Sequence, residues 1–378
     1  MSRGTIYLLV TMGAILATTA AAIVLYPSAR LTDCREVSRT VTDLAGREVV
    51  VPLEVKRLVA LGPGALRFVV YLGGTDRIVG IEDFERRMAR DLYVRPYASA
   101  LDDAFLSLPI VGAGGPGALP DPERLLMCRP DLVVVVGLAP SQLENIQLKS
   151  GVPVVCLSYG QLGVWRGEAQ QSLSLLGELL GTSGRAAALN EFVEALEQDL
   201  ERRTASIGAS SRPSAYFGGI SHKGAQGLAS TEVGYPPARM AGVRNLADGA
   251  GKVGGHFIVG REQILLWNPD FIFVDVASRL ILEQDFEQNR QFYRLLSSSA
   301  SDKVFSLLPY NYYNTNIELA LLNAYFVGKS VYPDRFSDIN VEDKASEIIR
   351  MFLGIVPDRR IPACRPVHFP QDGSVQWR

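Results

Sequence analysis

One stretch of this sequence occurs twice. Residues 121–136 read DPERLLMCRPDLVVVV and residues 260–275 read GREQILLWNPDFIFVD, with an offset of 139 throughout. Both copies carry a glutamate (Glu123, Glu262), an aliphatic pair (Leu125 and Leu126; Ile264 and Leu265), a Pro-Asp step (Pro130-Asp131; Pro269-Asp270) and then an apolar run. Proline lacks an amide hydrogen and disfavours helix in the residue before it. Each copy therefore reads as a short helix, a turn and a buried strand. Glycine-rich loops at 112–117 and 251–255 precede the two copies. Solenoid repeats have periods of about 20–50 residues, so a period this long means two similar lobes instead.

The flanking segments fit that reading. Val49 to Val51 and Leu58 to Leu61 are short apolar strands, Ala65 to Leu72 is helical, and Arg77 to Ile81 returns as a strand. Strands alternating with helices predict parallel pairing. Between the copies, residues 168–207 are helical, broken near Gly181 and Gly184, with Thr182 or Ser183 capping a second helix. There Leu189, Phe192, Leu196 and Leu200 recur at helical spacing, while Glu191, Glu194, Glu197 and Arg202 form the outer face. The expected fold class is α/β: two Rossmann-like lobes joined by one long connecting helix, with a ligand cleft between them. The expected divisions are a first lobe at 33–164, a connecting segment at 165–207, a second lobe at 208–355 and an irregular tail at 356–378. Residues 1–32 stand apart. Ile6 to Tyr26 is a run of twenty-one uncharged residues, with small residues at 17–22. It reads as a signal peptide or a membrane anchor, and either one exports the chain.

Composition excludes several functions. A net charge of −2 with both signs interspersed lacks the basic face that nucleic acid requires. The four cysteines show no CxxC spacing, so a zinc or thioredoxin-like site has no support. Cys34 and Cys364 lie outside the core segments, and a disulfide between them in an oxidising compartment stands as one reading beside a lipidated Cys34 and two free thiols. The GxGxxG match at 112–117 is interrupted by Pro116 and Pro120, and Gly328-Lys329-Ser330 has Asn323 where a phosphate loop needs glycine. No nucleophile-base set or metal triad is visible, although Asp275 or a histidine would be the base if chemistry occurred. A non-enzymatic monomer without a resident cofactor is the expectation.

The segment TDLAGREVVVPLEVKRLVAL (42–61), the following YLGGTDRIVGI (71–81), both Pro-Asp units and the connecting helix resemble the iron-siderophore and cobalamin class of periplasmic binding proteins. The resemblance runs from about Val41 to Gly354. It implies two α/β lobes with ligand held between them, and service to an ABC importer permease for a ferric siderophore, haem, cobalamin, molybdate or tungstate. A ferric siderophore leads among these small-molecule chelates, and a membrane-tethered sensor is the other reading. Family members usually carry a permease-docking glutamate in the helix after the first strand. Here the matching segment is Gly62-Pro-Gly-Ala-Leu-Arg67, and no equivalent appears near Pro236 to Arg239. The docking polarity stays open.

Ligands of open α/β sheets sit outside the carboxyl ends of the strands. That rule selects the loops at 62–66, 83–90, 112–117, 137–141 and 158–165 in the first lobe, and 216–227, 254–257, 275–279 and 310–316 in the second. Within PYNYYNTN (309–316), Tyr310, Tyr312, Tyr313 and Asn314 offer flat contact area with donors and acceptors. Tyr159 and Trp165 supply further aromatic surface. His222 and His256 are candidate metal ligands as neutral imidazoles. Lys223, Arg279, Arg86 and Arg87 are candidates to neutralise an anionic chelate.

Overall fold

The computed structural model describes residues 38–89, 94–160, 167–221, 224–250, 255–355, 364–370 and 372–377. The first lobe is built on five parallel strands in the spatial order Ile110–Gly112, Ile78–Glu82, Leu58–Leu61, Leu132–Val136, Val154–Leu157. The central strands read LVAL and LVVVV and are buried at every position. Helices cover both faces of such a sheet, so its strands need no polar alternation. The second lobe has four parallel strands in the order Arg244–Asn245, Ser214–Gly218, Phe271–Asp275, Val304–Leu307. An antiparallel hairpin, Ser38–Thr42 with Glu48–Pro52, opens the described chain.

The repeated sequence is a repeated structure. Helix Pro122–Met127 leads to strand Leu132–Val136, and helix Arg261–Trp267 leads to strand Phe271–Asp275. Both turns place the residue before proline in the left-handed region, Arg129 at φ 45° and Asn268 at φ 41°. The aspartates then do the same work in each lobe. Asp131 accepts from the amides of Lys56 (2.9 Å) and Arg57 (3.1 Å), just ahead of Leu58–Leu61. Asp270 accepts from the amide (2.8 Å) and hydroxyl (2.7 Å) of Ser214, the first residue of its neighbouring strand. Each carboxylate satisfies donors at the open end of a parallel pair and fixes the register, Leu58 beside Leu132 and Ala215 beside Phe271. The Ser214 hydroxyl holds Asp270 below the usual carboxylate range.

The connecting segment breaks where expected, at Gly181 (φ 67°), into helix Glu168–Leu179 and the long helix Ser183–Thr204. The second buries Ala186, Leu189, Val193, Leu196 and Leu200, while Phe192 is only half-buried. Arg185 in this helix donates to the Tyr71 carbonyl (3.1 Å) in the first lobe and to the Met351 carbonyl in the helix Val341–Leu353. Further along, Asp199 accepts from Tyr325 (2.8 Å) of the buried second-lobe helix Ile317–Val331. One continuous hydrophobic core consequently runs through both lobes.

The expected irregular tail is partly ordered. Val367–His368 pairs antiparallel with Gln376–Trp377, and Arg365 O accepts from Ser306 N (2.8 Å) at the sheet edge. Val367, Phe369 and Val375 are buried, with the Phe369 ring packed at a tilt against Tyr293 and Phe286, so apolar residues among the prolines anchor the segment. Cys364 is a buried free thiol whose Sγ lies 3.6 Å from Asn323 Oδ1. The disulfide reading is therefore not met at Cys364, and Cys34 lies outside the described residues. Residues 6–26 lie outside them as well. Among the described residues no helix is long and apolar enough to cross a membrane.

Replacing Asp131 or Asp270 by alanine removes the acceptor from strand-end donors that are exposed at Lys56 and Arg57 and half-buried at Ser214, and each should lower unfolding free energy by about 0.5–1.5 kcal/mol, more at Asp270. Urea denaturation of the two variants measures this. A loss below about 0.5 kcal/mol at both sites would deny the aspartates their register role.

Candidate functional site

The two lobes meet at the loop 310–316. Strand Val304–Leu307 delivers this loop from the second lobe, and helix Ile317–Val331 leaves it. Arg67 reaches it from the first lobe, on helix Ala65–Tyr71, and is fully buried. Its guanidinium donates to the carbonyls of Thr315 (2.8 Å), Tyr312 (3.0 Å) and Tyr313 (3.2 Å), with the Tyr159 hydroxyl at 3.4 Å. Arg67 is therefore an internal tie between lobes. It does not occupy the surface position that comparison with a permease-docking glutamate assumed.

Tyr313 and Asn314 both take left-handed backbone, at φ 51° and 71°. Asn314 tolerates this conformation, and its side chain donates to the Pro63 carbonyl (3.1 Å) across the junction. Tyr313 stacks on Phe84 of the first lobe, with ring centroids 3.9 Å apart. Its hydroxyl donates to Glu82 Oε2 (2.8 Å) and accepts from the Gly115 amide (2.9 Å). Glu82 closes strand Ile78–Glu82, is buried, and also accepts from Gly62 N through Oε1 (3.0 Å). Two glycines make the approach possible. A Cβ on Gly62 would stand 2.2 Å from Val136 O, and one on Gly114 would meet Glu82 and Phe84 at 2.9 Å. Burial raises the pKa of Glu82, partly offset by Gly62 N and Tyr313.

Beside this contact lies a second fully buried cation, Arg95. It pairs with Glu85 and donates through Nε to the Tyr97 hydroxyl (2.9 Å). The Tyr97 ring has Arg67 4.9 Å and Arg95 4.8 Å from its centroid. Nε of Arg67 and Nη1 of Arg95 are buried without a hydrogen-bond partner. On the second-lobe side, Tyr310 is 1% exposed, its ring edge-on to Tyr235 and its hydroxyl on Glu232 Oε2 (3.0 Å). Asp275 ends its strand buried and accepts from Ala277 N (2.9 Å). Burial pushes both Glu232 and Asp275 up to about 7, despite the opposing Tyr310 hydroxyl on one and backbone amides on the other.

The residues singled out from sequence divide. Tyr159, Tyr313 and Asn314 join the lobe junction, and Tyr312 contributes its carbonyl to Arg67. Tyr159 is buried, stacked 4.2 Å from Phe68. Tyr310 faces its own lobe's interior. His256 is half-buried on strand His256–Ile258 with Nε2 2.7 Å from Ser230 Oγ. Ser230 donates its own proton to Ile220 O, so His256 is the donor in this pair. Arg279 is exposed, bound to Glu283 (2.8 Å) and 5.4 Å from the Trp377 ring, away from the junction. Arg86 and Arg87 pair with Asp83 on their own exposed turn. Trp165, His222 and Lys223 lie outside the described residues. Among the described residues no three His, Cys, Asp or Glu side chains gather as a metal site. Glu82, Glu232, Phe84 and Arg95 escaped the sequence reading. Phe84 lay in the selected loop 83–90 without being named, and Glu82 alone carried a sequence signal, a charge ending an apolar strand, as in RIVGIE.

The sequence profile of the periplasmic binding protein family matches residues 58–308. The chain is 25% identical over 347 residues to the molybdate-binding protein MolA of Haemophilus influenzae, covering 83% of this chain and 90% of that one. The solved structure of MolA bound to molybdate superposes with a TM-score of 0.65 at 21% identity, covering 85% of this chain and 99% of MolA. Helicobacter pylori CeuE with Ni(II) bound gives 0.61 at 17% identity, covering 84% and 97%.

The raised carboxyls set a pH dependence. Glu232 and Asp275 stay protonated in the folded protein to about 7, whereas their ordinary values are 4.5 and 3.8. Their contribution to stability is complete below the ordinary values and is lost as pH rises to about 7. The Glu232→Gln variant, which cannot ionise there, should lose less stability than the parent between pH about 4.5 and 7. Urea midpoints across that range test it, and parallel curves for the two proteins would refute the assignment.

Proposed function

From the premise that this chain belongs to the periplasmic binding protein family, we propose that it captures a compact oxyanion of the molybdate class between its lobes and delivers it to an ABC importer. Binding proteins of this family carry solutes and are not enzymes, and they act outside the cytoplasm. The observation that carries the choice of ligand is the tightness and charge of the lobe junction. Tyr313 lies 3.9 Å from Phe84, a stacking distance that leaves no room for a macrocycle or a bulky chelate between those rings. Next to it stand two fully buried guanidiniums, Arg67 committed to the carbonyls of the turn and Arg95 with its Nη1 unpartnered and open to an anion. Guanidinium forks match paired oxygens, and low dielectric strengthens their hold on an anion. The similarity to a molybdate-binding protein supports the same class.

A ferric siderophore, the leading ligand by sequence, requires the Tyr313–Phe84 stack and the Glu82 hydrogen bond to part. Isothermal titration of the mature protein with molybdate, tungstate, a ferric catecholate siderophore and haem separates the readings. Molybdate or tungstate should bind stoichiometrically and the two large ligands should not. Saturable siderophore or haem binding with silent oxyanions would overturn the proposal.

A further inference from the structure

We propose that Arg67 is the positioning residue of the ligand cleft, holding the turn at 312–315 in the one conformation that presents Tyr313 to Glu82 and Phe84. This assignment rests on the reading of the lobe junction as the binding cleft. Three features carry it.

First, Arg67 is the only described side chain that donates to three backbone carbonyls of that turn, those of Tyr312, Tyr313 and Thr315. A charged fork satisfies several converging acceptors at fixed angles, which a neutral or single-point donor does not. Second, the turn it grips is a conformation that side chains rarely choose. Consecutive left-handed residues, Tyr313 and Asn314, are strained and persist only where neighbours over-determine them. Asn314 has a local compensating bond, its Oδ1 accepting from Thr315 N (2.9 Å), but the Tyr313 side chain has no local one among the described bonds. Its bonds to Glu82 and Gly115 lie in the other lobe.

Third, Arg67 is itself held rigidly. It sits over the Tyr97 ring at 4.9 Å and near the Tyr159 ring at 5.9 Å, and Tyr159 is fastened to Gly64 O (3.0 Å). Gly64 has φ 85°, and a Cβ there would stand 2.7 Å from the Tyr159 ring. Below, Tyr71 on the same helix hydrogen-bonds Glu318, the second residue of the helix leaving the turn. Arg67 and Tyr71 are one helical turn apart, so one face of Ala65–Tyr71 grips both the turn and the helix after it. The side chain that touches ligand is Tyr313 or its neighbours. Arg67 acts through them.

The Arg67→Lys and Arg67→Met variants test this in the full mature chain, since both retain a long stem to fill the buried space. Hydrogen–deuterium exchange is followed at 310–316 and, as an internal reference, at strand Phe271–Asp275 of the same lobe. Molybdate and tungstate are titrated well below each variant's melting temperature. The expected result is faster exchange confined to 310–316, with oxyanion affinity reduced about tenfold or more. Lysine should retain more protection than methionine. Parent-like exchange at 310–316 in a folded variant would overturn the assignment, as would uniformly faster exchange throughout the lobe, the mark of a merely structural role. If Arg67→Met does not fold, Arg67→Lys alone decides by the same two readings. If the parent binds neither oxyanion, the functional proposal fails, while the exchange pattern still decides whether Arg67 sets the turn.

Discussion

Burying Arg67 between the lobes is the constraint on which this structure turns. A guanidinium cannot shed its proton, so placing it out of water demands acceptors on every side. The sequence meets most of that demand with main-chain carbonyls from the opposite lobe, and only Nε is left without a partner. Taking carbonyls as partners leaves Glu318 to Tyr71 and Glu82 to Tyr313, so each buried acid also has a hydroxyl donor. The result is a lobe interface made of polar contacts that depend on one another. Removing any one leaves a buried group without its partner, which costs more than the bond itself contributes.

This interface sits on a scaffold that restricts motion. The helix Ser183–Thr204 is packed along both lobes, and one hydrophobic core passes through them. Lobes joined in this way are expected to rock by small angles, because a hinge needs exposed segments whose dihedrals are free to change. A cleft that starts nearly closed favours a ligand small enough to fit without large opening. The oxyanions proposed as ligands meet that condition.

Much of the scaffold was legible in the sequence. The repeat at 121–136 and 260–275 gave two lobes, because proline stops a helix and a run such as LVVVV must be buried. It even carried its own register device, since an aspartate beside a strand start has strand amides within reach. The strand-end rule drew attention to 310–316 because loop position follows from element order alone. What the sequence did not show was the partners. Arg279 and Tyr310 have the right chemistry, but Glu283 and Glu232 already satisfy them. Phe369 and Val375 pack into the second lobe although the surrounding residues look irregular.

What the sequence determined by itself, then, was everything governed by neighbours along the chain: period, helix stops, strand burial and the order of the loops. Only the tertiary structure decided which charges are internal. Arg67 and Thr315 are 248 residues apart, and nothing local distinguishes a buried arginine from a solvated one. Its role depends on an acceptor set assembled from both lobes, and such a set exists only once the lobes have come together.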